Sequence, residues 1–223
     1  MIRQLFLLIL VFLTACSSAS VSSYPAVDVI EVRDGDTITV QDNKTTTSIK
    51  LACIDAPETS QQGGQEATNY LKQLISAGKT VGLKKIPEAS KGITVGEIYR
   101  NGDSINLKLV QQGQAVVDPL SLDACSDKRE QFLAAQQRAK SANLGFWRQG
   151  SRMPWEYRQQ EGIEPETTNF GTSTNRLPPC VENDCDCFDF SSHREAQRVL
   201  EAFSGDPHRL DADGNGIACD NLY

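Results

Sequence analysis

Two short acidic motifs hold the side chains most able to do chemistry. Asp36 ends an Asp-Gly-Asp stretch, and Asp55 and Glu58 belong to a later Asp-Ala-Pro-Glu stretch. Carboxylates brought to one place repel each other unless a cation neutralises them, and hard oxygen ligands favour Ca²⁺ or Mg²⁺. We therefore expect Asp36 and Asp55 to hold Ca²⁺. The longer Glu58 would then accept a proton from a water that attacks a phosphodiester.

Each motif also has an ordinary structural interpretation. Asp-Gly-Asp is common in hairpin turns, so Asp36 taken alone indicates little more than a turn. Ala-Pro-Glu is typical of the start of a helix, where Glu58 would be an acid of the first turn. The case for a site rests on whether the fold brings the two motifs together.

The elements that must position these motifs are strands followed by helices. Alternating apolar residues predict strands over residues 27–40, with a turn at 34–36, and over 46–54, 80–85 and 94–99. Apolar periodicity predicts helices over residues 65–77, 105–112 and 128–142. This order favours a mainly β fold with α-helices, in which helices cap a small closed antiparallel barrel, and it argues against alternating βαβ units.

Five stretches of sequence together resemble the thermonuclease (staphylococcal-nuclease-like) family over residues 24–158. They are residues 32–37, 49–59, 95–99, 106–113 and 144–147. The resemblance implies a five-stranded OB-fold barrel and a calcium-dependent phosphodiesterase. It also implies that Asp36 and Asp55 are calcium ligands, that Ala56 binds calcium through its backbone carbonyl, and that Glu58 is the general base.

The chain departs from the family pattern at two arginine positions. Lys50 stands where the family has an Arg before the second calcium ligand, and it retains the charge but not the bidentate fork. Ile93 stands at the second position and retains neither. One donor to a developing oxyanion is typically worth about 10²–10³ in rate, so we expect slow catalysis unless another cation substitutes. The candidates for such a substitute are Arg100, Lys84, Lys85 and Lys91, and sequence alone does not choose between them.

The N-terminus is typical of an export signal. Arg3 precedes an apolar run over residues 5–13, which is much shorter than the roughly 20 residues of a spanning helix. Leu-Thr-Ala-Cys ending at Cys16 resembles a bacterial lipobox, which predicts a signal peptide over 1–16, lipidation of Cys16 and a polar tether over 17–23. An ordinary signal peptide is the alternative. Both predict export, and the lipid would attach the protein to a membrane or the cell envelope.

The cysteine count fits an oxidising compartment. Besides Cys16 there are six cysteines, an even number that favours disulfides over free thiols. A bridge between Cys53 and Cys125 would brace the strand before Asp55, and we hold it as a hypothesis. Zinc is the competing interpretation, but Cys185 and Cys187 lack the usual zinc-ligand spacing.

A polar linker over 159–179 is predicted to separate the barrel from a small acidic module over 180–223. Asp211, Asp213 and Asn215 occupy positions 1, 3 and 5 of an EF-hand-like loop, but Leu222 replaces the Glu at its end. Asp220 is the nearest acid that could close a shorter cage. The alternative is a set of acids that solvates a disulfide-held turn.

Residues 184–222 also resemble the extracellular calcium-binding region called excalibur. This resemblance implies that Asp211, Asp213, Asn215 and Asp220 are ligands and that Cys219 is bonded to an upstream cysteine such as Cys187. It predicts a C-terminal module that disulfides and calcium stabilise.

Charge and motifs together decide between classes of function. The net charge is −7, with the acidic excess beyond residue 160, which argues against a general polyanion binder. The leading hypothesis is a monomeric, exported, calcium-dependent nuclease acting on DNA or RNA. A barrel that binds nucleic acid without efficient catalysis and a calcium-dependent surface-binding protein are the alternatives. A correctly spaced general base at Glu58 favours the enzyme.

Overall fold

A computed structural model describes residues 24–87, 94–149, 152–163, 177–190, 193–212, 214 and 216–219. Its strands are β1 (Ala26–Val32), β2 (Thr37–Asp42), β3 (Thr45–Leu51), β4 (Ile54–Asp55), β5 (Thr80–Lys85), β6 (Thr94–Arg100), β7 (Asp103–Ser104) and β8 (Val116–Val117). The long strands pair in the order β3-β2-β1-β5-β6, and parallel pairing of β3 with β6 closes them into a barrel. The predicted five-stranded, OB-like barrel is confirmed.

Alternation along β1 explains which side chains fill the barrel. Val27, Val29 and Val32 are buried, whereas Ile30 is 44% exposed. The interval between Val29 and Val32 is one residue too long for strict alternation. An irregularity in the pairing with β2 between Val29 and Glu31 absorbs that residue and returns Val32 to the core.

Five helices accompany the barrel within the described residues. They are α1 (Gly64–Leu74), α2 (Ile105–Gln111), α3 (Arg129–Ser141), α4 (Pro154–Glu161) and α5 (His193–Ala202). The first three cover the barrel and bury apolar side chains such as Leu71, Leu109 and Phe132 against it. Helix α1 ends three residues before the predicted position, because Ile75 already has an extended backbone.

Helix α4 was not among the predicted helices. Pro154 lies in its first turn, a position where the missing backbone N–H is not needed. Gly162, with φ 64°, ends the helix in the left-handed conformation. The helix therefore continues to Glu161, into the segment expected to be a linker from residue 159.

The C-terminal residues form a small apolar cluster of their own and also contact the barrel. Phe190, Val199 and Leu210 pack together with Cys185 and Cys219. Ile217 instead joins the core of the barrel and is 2% exposed. Lys140 on α3 donates a hydrogen bond to the carbonyl of Gly214 at 2.7 Å. These contacts hold the C-terminal segment against the barrel.

The structure pairs the six cysteines after Cys16 into three disulfides: Cys53 with Cys125, Cys180 with Cys185, and Cys187 with Cys219. The first joins the segment before β4 to the loop before α3 and spans 72 residues of sequence. No helix in the described ranges is both long and apolar enough to span a bilayer.

We predict that replacing both Cys53 and Cys125 by Ser lowers the free energy of unfolding by about 2–5 kcal/mol, because the bridge restricts a long loop in the unfolded chain. Urea unfolding measures the change. Replacing both Cys180 and Cys185, which are separated by only 5 residues, is the matched control and should cost less. Peptide mapping that finds Cys53 free or bonded to another cysteine would contradict this pairing.

Candidate active site

The loop between β1 and β2 lies against the segment that carries Asp55. A Cβ added to Gly35 would lie 2.6 Å from the Ala56 Cβ and 2.9 Å from the Ala67 Cβ, so only glycine permits this approach. The Asp36 backbone N–H donates to the Asp34 carboxylate at 3.0 Å and holds the turn in shape. The Asp-Gly-Asp motif thus forms a turn and, through that turn, brings Asp36 to Ala56.

Asp36 is buried and uses both carboxylate oxygens. Oδ2 accepts a hydrogen bond from the Ala56 backbone N–H at 2.7 Å, and Oδ1 accepts one from Lys50 Nζ at 2.7 Å. Lys50 lies on β3 directly opposite Thr37, whose hydroxyl donates to the same Oδ1 at 3.1 Å. The register of β2 and β3 therefore places the lysine beside Asp36.

Asp55 ends β4, which pairs with β8 and is braced from the barrel. The buried side chain of Asn106 donates to the Ala52 carbonyl at 2.9 Å and accepts from the Ile98 backbone N–H at 3.0 Å. This ties β6 to the segment just before Asp55. Lys50 Nζ lies 3.7 Å from Asp55 Oδ1, so one lysine lies between the two aspartates.

Arg158 on α4 connects Asp55 to Glu58. Its Nη2 donates to Asp55 Oδ2 at 2.6 Å, and its Nη1 donates to Asp55 Oδ1 at 3.1 Å and to Glu58 Oε1 at 2.8 Å. The five side chains Asp36, Lys50, Asp55, Arg158 and Glu58 form one continuous series of ion pairs, which we call the ion-pair chain. It brings together the three carboxylates that the two sequence motifs supply.

Helix α4 is fixed by the same loop that carries Glu58. Gln61 donates through its side chain to the Arg152 carbonyl at 2.6 Å and accepts from the Glu58 backbone N–H at 3.2 Å. The Tyr157 hydroxyl donates to the Ser60 hydroxyl at 3.1 Å. Both bonds lie on the N-terminal side of Arg158, and they fix the first part of α4 relative to Glu58.

Negative charge exceeds positive charge around the ion-pair chain. Burial raises the pKa of Asp36 to about 6 even though Lys50 lowers it, and Asp34 and Asp55 add to the rise. Burial and the charge of Asp55 likewise raise the pKa of Asp118 to about 6. Because its three carboxylates outnumber its two cations, the ion-pair chain favours the binding of a further cation.

The C-terminal helix α5 reaches the edge of this region. Glu201 is exposed as a whole residue, and its carboxyl group is close enough to those of Asp118 and Asp55 to be affected by their charges. Partial burial of the carboxyl group raises the pKa of Glu201, a hydrogen bond with Gln197 lowers it, and the carboxylates of Asp118 and Asp55 raise it further. Asp118 and Glu201 add two acids that sequence reasoning did not place near Asp55.

The oxygen atoms at the ion-pair chain are of the kind that bind a hard divalent cation. Their positions in the structure do not yet form a metal site. Asp36, Asp55 and Glu58 supply carboxylate oxygens and Ala56 supplies a carbonyl, as calcium prefers. No group of three or more His, Cys, Asp or Glu side chains within the described ranges is already arranged to hold a metal ion. Arg158 engages both oxygens of Asp55, so a cation can use Asp55 only if the arginine moves away.

The cations considered as replacements for the missing arginine behave differently. Lys91 and Ile93 lie outside the described residues. Arg100 donates to the Leu74 carbonyl, and Lys84 pairs with Asp127 at 3.0 Å. Neither is seen to contact the ion-pair chain. Among the described residues, Arg158 supplies a guanidinium to the ion-pair chain. Sequence reasoning missed this residue.

The acidic loop near the C-terminus remains a prediction. Asp213, Asn215 and Asp220 lie outside the described residues, as does Cys16 at the other end of the chain. Asp211 Oδ2 accepts a hydrogen bond from the Gly216 backbone N–H at 2.8 Å, which shapes the loop without showing a ligand.

The sequence is similar to a known nuclease family and to several bacterial endonucleases. Residues 48–149 match the family described as staphylococcal nuclease homologue. An uncharacterized endonuclease of Haemophilus influenzae is 32% identical over 166 residues, covering 70% of this chain and 84% of the relative. An uncharacterized endonuclease of Escherichia coli O157:H7 is 32% identical over 136 residues, covering 60% and 84%. Endonuclease YhcR of Bacillus subtilis is 31% identical over 163 residues, which are 65% of this chain but only 13% of that protein.

The matched region contains Lys50, Asp55 and Glu58, whereas Asp36 precedes it and Arg158 follows it. The barrel, the converging carboxylates and these relatives agree, and the chain belongs to the staphylococcal nuclease homologue family.

Proposed function

We propose that this protein is a calcium-dependent endonuclease that hydrolyses phosphodiester bonds in DNA or RNA. The observation that carries the proposal is the convergence of Asp36, Asp55 and Glu58 in one ion-pair chain. Relatives named as endonucleases support the class of reaction. A purely structural cluster would not need the half-exposed carboxylate that Glu58 offers at its end, where 32% of the side chain is accessible.

Glu58 is the proposed general base. Asp36 and Asp55 are 3% and 6% exposed at the side chain, so neither is open to an incoming water as Glu58 is. Glu58 accepts a proton from the water, the water oxygen forms a new bond to phosphorus, and the ester bond on the opposite side breaks. The leaving oxygen takes its proton from solvent.

The remaining residues bind and orient. Asp36, Asp55 and the Ala56 carbonyl are the proposed holders of Ca²⁺, which supplies positive charge beside the phosphate when it is bound. Lys50 contributes a second positive charge from between the two aspartates. The Asp36 and Asp55 carboxylates keep the pKa of Lys50 above its ordinary value against the opposing effect of burial, so the lysine stays protonated.

We predict that Glu58→Gln lowers kcat for cleavage of single- and double-stranded DNA and RNA by about 10²–10⁴, because the amide cannot accept the proton. Calcium binding, followed by calorimetry, should persist. Glu66→Gln, which removes an exposed acid from the first turn of α1, is the matched control and should cleave normally.

Cleavage is measured in millimolar Ca²⁺ and in chelator. Equal activity of wild type and Glu58→Gln would contradict the role of Glu58. No cleavage by the wild type, with calcium still tightening its binding to nucleic acid, would identify a binding protein on a nuclease fold.

We predict that calcium stabilises the protein more at pH 7.5 than at pH 5. Asp36 has a raised pKa of about 6, so it is mostly protonated at the lower pH and must lose that proton to bind the cation. In the absence of calcium, the same raised pKa makes the contribution of Asp36 to stability fall as pH rises from about 4 to 6. Melting temperatures with and without Ca²⁺ measure both effects.

Asp36→Asn should remove the pH-dependent part of the calcium-induced rise in melting temperature. Asp103→Asn, at a side chain that is 59% exposed, is the control and should keep it. A calcium effect that is the same at both pH values would argue against Asp36 as a ligand.

We propose further that the protein is exported and lipid-anchored through Cys16, an interpretation supported by the N-terminal sequence alone. Palmitate labelling followed by fractionation of bacteria that express the full chain tests it. Cys16→Ala should lose the label and leave the membrane fraction. Equal labelling of both forms would rule out lipidation at Cys16.

A further inference from the structure

We propose that Arg158 binds the scissile phosphate, so that a residue of helix α4, beyond the region matched to the family, completes the active site. The inference rests on the proposed nuclease function and adds a residue to it. What carries it is the position of a largely buried guanidinium between a proposed metal ligand and the proposed base.

The distances place Arg158 directly beside the proposed base. Its Nη1 is 2.8 Å from Glu58 Oε1, the atom proposed to take the proton of the attacking water. A water bound to Glu58 and the phosphorus that it attacks are therefore both within a few ångströms of the guanidinium. A planar guanidinium can donate two parallel hydrogen bonds to phosphate oxygens, which the ammonium group of Lys50 cannot do.

The side chain of Arg158 is largely buried, and the helix that carries it is attached to the loop of Glu58. That side chain is 16% exposed. The hydrogen bonds from Gln61 to the Arg152 carbonyl and from Tyr157 to Ser60 attach the segment that leads up to Arg158 to the loop of Glu58. These bonds keep the backbone of Arg158 close to Glu58, while its guanidinium can still change hydrogen-bond partners.

The carboxylates of Asp55 and Glu58 accept the hydrogen bonds that Arg158 would donate to phosphate oxygens when substrate binds. Asp55 and Glu58 accept three hydrogen bonds from its two Nη atoms, a pattern that a phosphate group can also accept. When the guanidinium transfers to the substrate, Glu58 becomes free to accept a proton and Asp55 becomes free to bind a cation. The same exchange explains why the carboxylates are not arranged as a metal site in the absence of substrate.

The test compares purified full-length protein, in mild detergent, carrying Arg158→Gln, Arg158→Lys or the control Arg152→Gln. Arg152 is an exposed arginine close to Arg158 in sequence, and Gln61 hydrogen-bonds to its backbone carbonyl, so the variant removes the same charge from the same segment and keeps that bond. Melting temperatures establish that each variant is folded. The readouts are kcat and KM for cleavage, calcium affinity by calorimetry, and binding of a fluorescent oligonucleotide in a Glu58→Gln background, where cleavage does not interfere.

We expect Arg158→Gln to lower kcat/KM by about 10²–10³ and to weaken oligonucleotide binding, while calcium binds at least as tightly as in the wild type. Arg158→Lys should be folded and only partly active, since it restores charge without the fork. Arg152→Gln should resemble the wild type in all three readouts.

Two other outcomes separate this inference from the proposed function. If Arg158→Gln cleaves as fast as the wild type or faster, Arg158 only blocks an empty site, and the inference is wrong while the nuclease function stands. If the wild type does not cleave, the nuclease function is wrong. The oligonucleotide-binding measurement then tests the phosphate contact of Arg158 by itself. Weaker binding in Arg158→Gln but not in Arg152→Gln would still support a phosphate contact, and equal binding would overturn it.

Discussion

Mutual repulsion of three carboxylates is the constraint that the rest of the site depends on. Asp36 and Asp55 are almost wholly buried, and Glu58 lies beside them. Buried acids so close together are stable only when cations alternate with them, and Lys50 and Arg158 do this in the described structure. Removing one partner of such a buried pair commonly costs about 3–5 kcal/mol, because the other is left uncompensated. Three features keep these five side chains in contact: the barrel, the hydrogen bonds of Asn106, and helix α4.

The same constraint links stability to chemistry. The ion-pair chain holds two cations for three carboxylates, and Asp34 and Asp118 lie close enough to add negative charge. This excess of negative charge favours the binding of a further cation, for which Arg158 must change its hydrogen-bond partners.

Much of this could be predicted from sequence, for local reasons. Strand alternation and turn residues predict the barrel because they act over a few residues, and the two acidic motifs lie at strand ends that the barrel brings together. Arg158 could not be predicted in the same way. It lies 100 residues from Glu58, on a short helix with no clear apolar periodicity, and nothing in its neighbours marks it as facing a site. Asp118 was missed because its proximity to Asp55 follows from the pairing of β4 with β8, two strands of two residues each.

The most direct test of the account is a crystal structure of the protein with Ca²⁺ and an oligonucleotide, using Glu58→Gln to prevent cleavage. The account predicts a cation on Asp36 and Asp55 and the guanidinium of Arg158 on a phosphate, no longer on Asp55. A bound oligonucleotide with Arg158 still paired to Asp55, and no cation between the two aspartates, would contradict it.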